Sequence, residues 1–294
     1  MTPLERRYRR LLRAYPRAYR SAHGDELLDV LLGHTDPKRS RPPLKEAAGL
    51  LVNGLRERVW QATTAPMWAD GLHLGVTALC AAHLSGWLPY ATSIPVWCAL
   101  STLGLILTIM GRFRLALPLV LLTGIKSWTL GTGVVFVDAT LLPIEPAFLM
   151  HDALYGNSGP IGAAAWSLPA CAGLAILAVR GERPRRRSLW WPAVVPLLAV
   201  ADPAWMALDD PSPLVLVRVV AEAATLAGAV WAGRMTGDQR WALAAALYLV
   251  AGSTAFGEHL VDQSRQNLAY WGLLAFLTLV AAVAPRGSRT RAFD

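Results

Sequence analysis

Arg180-Gly181-Glu182-Arg183-Pro184-Arg185-Arg186-Arg187 is a basic stretch that lies between two long apolar runs of the chain. Short loops rich in Lys and Arg remain on the cytoplasmic side of a membrane. The stretch therefore predicts that the apolar run before it ends, and the run after it begins, at the cytoplasmic surface. This one loop sets the expected orientation of every other segment.

The composition favours an all-α, polytopic membrane protein. The 294 residues are 54% hydrophobic and only 16% charged, which is more apolar than an ordinary soluble domain. The net charge of +8 comes mainly from arginine, since Lys38, Lys45 and Lys126 are the only lysines. Such a bias follows the codon usage of a GC-rich genome as readily as a function. The charge therefore does not predict direct binding of nucleic acid.

Eight apolar runs have close to the roughly 20 residues that a helix needs to cross a bilayer core of about 30 Å. The runs are Met67–Leu88, Ile94–Met110, Leu115–Val137, Ile161–Val179, Leu189–Leu208, Leu214–Ala232, Trp241–Gly257 and Leu268–Ala284. The fifth run contains several prolines and Asp202, which predicts a helix that can be broken at that point. Cys80, Cys98 and Cys171 lie within the runs. We interpret these three cysteines as small core hydrophobes, because an odd set gives no disulfide framework.

Arginine content alternates between the connections, as the membrane topology requires. One side holds the N-terminal segment and the arginines at 112 and 114, 180 to 187, 234 and 240, and 286 to 291. On the other side, Arg265 is the only Lys or Arg in the four connecting loops. We therefore expect a multi-pass protein of the bacterial cytoplasmic membrane with both termini in the cytoplasm. The expected domains are a helical prefix at 1–62, a bundle at 63–285 and a basic tail at 286–294.

The prefix reads as three short helices. Thr2-x-x-Glu5 has the spacing of a capping box and predicts a helix start, and Pro16 is expected to kink or divide that first helix. A break at His23-Gly24 precedes a second helix that Gly33 ends. The third helix carries one apolar stripe, which we expect to join a modest shared core. The stripe consists of Leu44, Ala48, Leu51, Leu55 and Val59.

The first helix has a basic face made of Arg6, Arg10, Arg13, Arg17 and Arg20. Three interpretations of this face are open. Anionic lipid headgroups are favoured, since each cation near such a surface gains about 1 kcal/mol. A docking surface for a cytoplasmic protein partner is the second interpretation. DNA binding is the least favoured, because no helix-turn-helix pattern accompanies the arginines.

Part of the prefix resembles a known kind of domain. The resemblance rests on Leu4-Glu5-Arg6-Arg7-Tyr8-Arg9-Arg10-Leu11-Leu12, on Tyr15-Pro16-Arg17-Ala18-Tyr19-Arg20 and on His23-Gly24-Asp25-Glu26-Leu27-Leu28. These residues resemble the small helical prefix of bacterial membrane proteins that precedes permease-like regions or is encoded beside PadR-type transcription regulators. The resemblance covers about residues 4–60. It implies a role in signalling or regulation at the membrane and supplies no catalytic residues.

Four ionisable residues fall inside the apolar runs, where a charge is expensive and invites a functional question. Lys126 lies near the middle of the third run, Arg218 and Glu222 lie one turn apart in the sixth, and Asp202 lies in the fifth. Their depths along the runs overlap, which predicts a polar cluster in the outer half of the bundle with Lys126 paired to Glu222. Either the cluster is a set of ion pairs that fixes helix register, or it is a pocket for a small ligand or ion.

A second set of polar residues is expected at the outer surface. It consists of His83, His151, Asp152, Glu258, His259 and Asp262. These residue types bind zinc, but their spacing matches no metal signature, so we favour solvated loop residues over a metal site. The chain also has no Ser-His-Asp order and no phosphate-binding loop. We therefore expect no catalytic residues and no cofactor.

These observations favour a sensor or regulatory component that couples a ligand site in the membrane to a cytoplasmic partner. A transporter of small molecules or ions that uses the intramembrane charges is the first alternative. A membrane-embedded enzyme acting on a lipid or isoprenoid substrate is the second.

Overall fold

The computed structural model describes residues 2–34, 41–61, 66–88, 91, 94–132, 160–181, 184, 186–188, 190–199, 213–258 and 265–285. All regular structure within these ranges is helical, which confirms the predicted all-α class. The chain divides into two compact units, Met1–Thr64 and Ala65–Asp294. Each unit is described by itself.

Among its described residues, the first unit contains three α-helices and one 3-10 turn. They are α1 (Pro3–Leu11), the turn Leu12–Ala14, α2 (Arg17–His34) and α3 (Leu44–Gln61). The predicted capping box is confirmed, because Thr2 Oγ1 accepts from the Glu5 amide at 3.2 Å and Glu5 Oε2 accepts from the Thr2 amide at 3.3 Å. The predicted division at Pro16 is also confirmed. The predicted break at His23-Gly24 is wrong, since α2 runs through it. A glycine inside a helix costs only about 1 kcal/mol, which packing can offset.

The core of the first unit forms where all three helices meet. It consists of Leu4, Tyr8, Leu12, Tyr15, Leu28 and Leu50. The Tyr8 hydroxyl donates to Glu46 Oε2 at 2.7 Å, so its polar end is satisfied inside the unit. Burial raises the pKa of the Tyr15 phenol, and Tyr19 and Glu57 nearby raise it further. The unit therefore has a core of its own.

The face of α3 that enters this core is not the predicted one. The buried side carries Leu50 and Gly54, and a Cβ at Gly54 would lie 2.8 Å from the Ala14 Cβ. The missing side chain at Gly54 lets α3 approach the turn after α1. The predicted stripe points away from the core, and Leu44, Leu51 and Leu55 in it are 89%, 44% and 51% exposed. Helical periodicity locates an apolar stripe but does not say which partner covers it.

The second unit contains eight α-helices within the described residues. They are α4 (Met67–Trp87), α5 (Pro95–Ile109), α6 (Phe113–Thr132), α7 (Pro160–Arg180), α8 (Val194–Ala199), α9 (Pro213–Thr236), α10 (Arg240–Glu258) and α11 (Arg265–Val283). A 3-10 turn at Trp191–Ala193 precedes α8. Each helix overlaps one predicted apolar run. Asp202, where a break was predicted, lies outside the described residues.

Helices α4, α7 and α10 pack against one another at the centre of this unit. Helices α5 and α6 pack on one side of the three, where α5 contacts α4 and α6 contacts α7. Helices α9 and α11 contact each other and α10 on another side. The core includes Val76, Leu79, Leu105, Leu174 and Leu177, all fully buried. Glycines allow the close packing, as at Gly75, where a Cβ would meet the Leu247 side chain at 2.5 Å.

Two of these helices, α6 and α11, carry large apolar side chains on the exposed side and some polar side chains on the buried side. In α6 the buried side carries Thr123, Lys126, Ser127 and Thr129. The exposed side of the same helix carries Leu115, Leu121, Leu122, Ile125 and Trp128. In α11, Thr278 is buried, whereas the large side chains of Leu273, Phe276 and Leu279 are exposed. Judged by length and mean hydropathy together, none of the helices in the described ranges qualifies to cross a membrane.

Candidate functional site

Within the described residues of the second unit, polar side chains and the aromatic rings in contact with them form three clusters. The Asp70 cluster consists of Asp70, Arg187, Asp238 and Arg240. The Lys126 cluster consists of His83, Trp87, Trp97, Lys126 and Ser127. The Glu222 cluster consists of Glu222, Tyr248 and Tyr270.

The Asp70 cluster joins three distant parts of the chain by ion pairs. Asp70 lies in the first turn of α4, where a carboxylate is favoured by the helix dipole, and its side chain is 1% exposed. Asp70 Oδ1 accepts from Arg187 Nη2 at 2.6 Å, and Asp70 Oδ2 accepts from Arg240 Nη1 at 2.9 Å. Asp238 Oδ2 accepts from Arg240 Nη2 at 2.7 Å. Two carboxylates thus face two guanidinium groups, which is the condition under which buried charges are tolerated.

Two local features bring these side chains together. Gly71 lies against Arg240, and a Cβ there would be 2.8 Å from the Arg240 carbonyl oxygen. The turn that leads into α10 uses Gly237, whose φ of +64° favours glycine. Asp238 then caps that turn, since its Oδ1 accepts from the Arg240 amide at 2.9 Å. The sequence between α9 and α10 is therefore built to place Arg240 beside α4.

Arg187 attaches the basic stretch to the bundle in two ways. Its amide donates to the Ile109 carbonyl at the end of α5 at 3.0 Å. Its guanidinium donates to both the carbonyl and the side chain of Asp70, each at 2.6 Å. Nearby, the Arg180 guanidinium lies 5.1 Å from the centroid of the Trp68 ring. The loop that sets the predicted orientation is thus bound to α4 and α5 through one arginine.

His73 lies one turn after Asp70 on α4 but binds a different helix. Its Nε2 is 2.8 Å from the Thr108 carbonyl oxygen of α5, and its ring meets Phe113 edge-on at 5.1 Å. His73 is fully buried. This residue therefore fastens α4 to α5 and the start of α6.

The Lys126 cluster lies toward the other end of α4. Lys126 is 1% exposed, and its Nζ lies 5.4 Å from the centroid of the Trp97 ring. A desolvated cation over an indole face gains about 2 kcal/mol. Trp97 meets Trp87 edge-on at 6.3 Å, and Trp87 stacks at a tilt on His83 at 4.9 Å. The Ser127 hydroxyl lies 3.4 Å from His83 Nε2.

A small cavity of about 10 Å³ adjoins His83, which is about the space that one water molecule needs. Its walls are Leu79, Cys80, His83, Ser101, Val120, Thr123, Trp166, Ser167 and Ala170. Polar groups thus reach the cavity from α4, α5, α6 and α7. The Lys126 cluster and this cavity adjoin through His83, which belongs to both, and the cavity has room for about one water molecule.

The Glu222 cluster holds a buried carboxylate between two phenols. Glu222 Oε1 accepts from the Tyr248 hydroxyl at 2.6 Å, and Oε2 accepts from the Tyr270 hydroxyl. The donors come from α10 and α11, and Glu222 comes from α9. Trp166 of α7 meets Tyr248 edge-on at 5.4 Å. The cluster thus ties the central helix α10 and its neighbours α9 and α11 to one carboxylate.

The predicted pairing of Lys126 with Glu222 needs correction. Lys126 and Glu222 are both buried, as we predict for ionisable residues inside the bundle. The ion pairs seen in the described part of the chain do not include one between them. Lys126 lies over an indole and Glu222 accepts from tyrosines, so each has neighbours on different helices. Depth along a helix axis, on which the prediction was based, does not say in which direction a side chain points. The Arg218 side chain and Asp202 lie outside the described residues.

The weak metal candidates are separated or outside the description. His83 belongs to the Lys126 cluster, whereas His151, Asp152 and His259 are outside the described residues. No group of three His, Cys, Asp or Glu side chains suited to a metal ion occurs among the residues that were placed. In the first unit, Arg6, Arg10, Arg13 and Arg17 are exposed, and Arg20 is half-buried. The predicted basic face is thus accessible at four of its five positions.

The Asp70 cluster was missed in the sequence because its members are far apart. Asp70 is 117 residues from Arg187 and 170 residues from Arg240. One signal was available, since the predicted topology puts the start of the first run, the basic stretch and the loop before the seventh run on the same side. Asp70 and His73, three residues apart at the inner end of the first run, are predicted to face each other, but Asp70 instead pairs with Arg187 and Arg240.

Comparisons of this chain with models of known protein families, with curated proteins and with solved structures find no match in any of the three.

Proposed function

We propose that the second unit is a helical bundle embedded in the bacterial cytoplasmic membrane, with both chain termini in the cytoplasm. The large apolar side chains exposed on α6 and α11, together with the buried Lys126 of α6, support this proposal. In water, exposed Leu, Ile and Phe beside buried Lys and Thr would be unfavourable on both sides of the helix. In lipid, apolar side chains outside and polar ones inside are the favourable arrangement.

The function proposed for this bundle is that of a sensor or regulatory component. Its ligand site is the Lys126 cluster with the adjoining cavity, and its output is the basic stretch together with the prefix, which bind a cytoplasmic regulatory protein. The observation that carries the proposal is the ion pair from Arg187 to Asp70. Through it, α4 connects the loop on one side to His83, about 20 Å away along the helix at 1.5 Å per residue, and to Trp87, about 25 Å away.

The Arg187 amide offers a direct test of this coupling, because it is held by the Ile109 carbonyl. In the full chain reconstituted in lipid, Lys126→Met should change the hydrogen-exchange rate of this amide if the two ends of α4 are coupled. Asp70→Asn is the positive control, since it removes the charge that holds Arg187. Leu122→Ala is the matched negative control, because it removes an exposed side chain of the same helix α6.

The sensor proposal is supported if Lys126→Met changes the hydrogen-exchange rate of the Arg187 amide and Leu122→Ala does not. If Asp70→Asn speeds exchange and Lys126→Met leaves it unchanged, the coupling is absent and the sensor proposal fails.

Membrane embedding is tested separately. The full chain should stay with the lipid fraction after a carbonate wash, and release of the chain by that wash would contradict the bundle proposal.

Transport of a small molecule or ion is the second candidate, and the Glu222 cluster favours it. A carboxylate between two phenols in the interior can exchange a proton or hold a cation. Uptake into vesicles that contain the purified chain should then depend on Glu222 and on Lys126. Uptake that is unchanged by both Glu222→Gln and Lys126→Ala would exclude this candidate.

A further inference from the structure

One face of α3 in the first unit is apolar and exposed, and no described residue of that unit covers it. We define the α3 face as Leu44, Leu51, Val52 and Leu55, which are 89%, 44%, 52% and 51% exposed. These positions recur at the spacing of one side of a helix. The opposite side of α3 is already occupied, because Leu50 is in the core and Gly54 packs on Ala14. The α3 face is therefore an amphipathic surface left open by the fold of the unit.

We infer that the α3 face lies on the anionic lipid surface at the cytoplasmic side of the membrane. This inference rests on the membrane embedding proposed for the second unit. It assigns the lipid contact to α3, which is additional to the basic face expected on α1. The occupant is lipid, and a second copy of the chain or a separate protein is an alternative outcome of the test below.

Charge complementarity is the first argument for lipid. Residues 1–64 contain 13 Lys and Arg against 7 Asp and Glu. Lys45 and Arg56 are exposed and lie beside the α3 face, on the side of Val52. Arg58 is instead held within the unit, because it donates to the carbonyls of Ala14 and Arg13. A helix with an apolar face bordered by basic side chains is the type that lies in the headgroup region of anionic membranes.

The connection to α4 is the second argument. Only residues 62–66 separate the end of α3 at Gln61 from the start of α4 at Met67. The chain therefore passes from α3 to α4 through a segment of only five residues. Trp68 and Arg180, which stack at that start, are residue types typical of the membrane interface. A tethered helix with an exposed apolar face beside a bilayer has lipid as its nearest apolar partner.

The inference is tested with a fluorophore at single positions in the full chain. The native cysteines Cys80, Cys98 and Cys171 are changed to alanine, and an environment-sensitive dye is attached at Val52→Cys. Val30→Cys is the matched control, since Val30 is a 55% exposed valine on α2 of the same unit. Ile125→Cys, on the exposed side of α6, reports the embedding of the second unit. Vesicles contain equal amounts of phosphatidylcholine and phosphatidylglycerol, with or without spin-labelled lipids that quench the dye.

We expect spin-labelled lipid to reduce the Val52 signal by about twofold or more, and the Val30 signal much less. Replacing phosphatidylglycerol by phosphatidylcholine, or introducing Lys45→Gln with Arg56→Gln, should weaken the effect at Val52 and leave Ile125 unchanged. If Ile125 is quenched and Val52 is not, the inference fails while the membrane proposal stands. If neither is quenched, both fail. Equal quenching at Val30 and Val52 would also overturn the inference, because α3 would then have no special face.

A blue shift of the Val52 dye without lipid quenching would mean that protein covers the α3 face, and it would overturn the inference.

A measurement on the unmodified chain shows whether the cysteine substitutions have altered the result. Hydrogen exchange in the same vesicles should be slower for α3 when phosphatidylglycerol is present than when it is absent. Exchange in α3 that does not depend on the anionic lipid would contradict the inference.

Discussion

The two ends of α4 deal with buried charge in different ways. At its start, Asp70 is bound by Arg187 and Arg240, and opposite charges neutralise one another over distances of 2.6 and 2.9 Å. Toward its other end, Lys126 of α6 lies over the ring of Trp97, near His83 and Trp87. The first arrangement joins segments remote in sequence, and the second joins α4 to its neighbours α5 and α6. We therefore expect damage at the first end to affect the whole unit and damage at the second end to remain local.

The largest effect should follow from Asp70→Asn. Asparagine has nearly the same shape but removes the negative charge that Arg187 and Arg240 share, and breaking a buried ion pair costs about 3–5 kcal/mol. The thermal unfolding midpoint of the purified chain in detergent should fall accordingly. Asp238→Asn is the control, because the Asp238 side chain is 14% exposed and binds one arginine rather than two. Equal losses from the two variants would refute the idea that Asp70 is the centre of the cluster.

A pair of glycine substitutions on α4 compares its two ends directly. Gly71→Ala would place a Cβ 2.8 Å from the Arg240 carbonyl oxygen, and such overpacking costs about 1–3 kcal/mol. Gly86→Ala meets no atom within 4 Å and replaces glycine by the best helix former, so it should stabilise by about 0.5–1 kcal/mol. Unfolding in detergent measures both. Two changes of the same sign would show that helix propensity, and not the contact with α10, determines the result at Gly71.

A smaller effect is expected from Lys126→Met. The substitution removes a cation–π contact worth about 2 kcal/mol but also removes the cost of burying an ammonium group. We expect a change in unfolding midpoint well below that of Asp70→Asn, together with a clear change in the near-ultraviolet circular dichroism of the tryptophans. Lys126→Arg is the control that keeps the charge. A loss of stability as large as that of Asp70→Asn would mean that the two ends of α4 are equally important to the fold.

The helices were predictable from the sequence because the length of an apolar run is a local property. Helix α7, for example, spans Pro160–Arg180 where the run Ile161–Val179 was expected. Which side of a helix faces its packing partners is not a local property, because it depends on residues that are distant in the sequence. The predicted core stripe of α3 is exposed, since Gly54 on the other side permits the closer approach to Ala14. The leucine stripe shows that α3 is amphipathic. It is Gly54, on the other side of the helix, that marks the face in contact with the rest of the unit.

The candidate site was predictable only residue by residue. Lys126 stood out because a lysine in an apolar run is unusual, but its neighbours Trp97 and His83 come from other helices and carry no joint sequence signal. The predicted partner Glu222 was chosen from depth alone and instead accepts hydrogen bonds from Tyr248 and Tyr270. Assigning partners requires the rotation of each helix about its axis, which composition and spacing leave open.

The smallest effect should come from Ser127→Ala, which tests how closely the second end of α4 is held. The Ser127 hydroxyl lies 3.4 Å from His83 Nε2, longer than a strong hydrogen bond, so the loss of this one contact should cost about 0.5 kcal/mol or less. Thr108→Ala is the control at the first end. It removes a hydroxyl that bonds within its own helix, at the residue whose carbonyl holds His73 at 2.8 Å. If Ser127→Ala instead shifts the unfolding midpoint by several degrees, the contact between α4 and α6 contributes as much to stability as the ion pairs do. A near-zero shift that nevertheless alters the near-ultraviolet signal of the tryptophans would mean that Ser127 positions His83 without stabilising the fold, as expected for a ligand site.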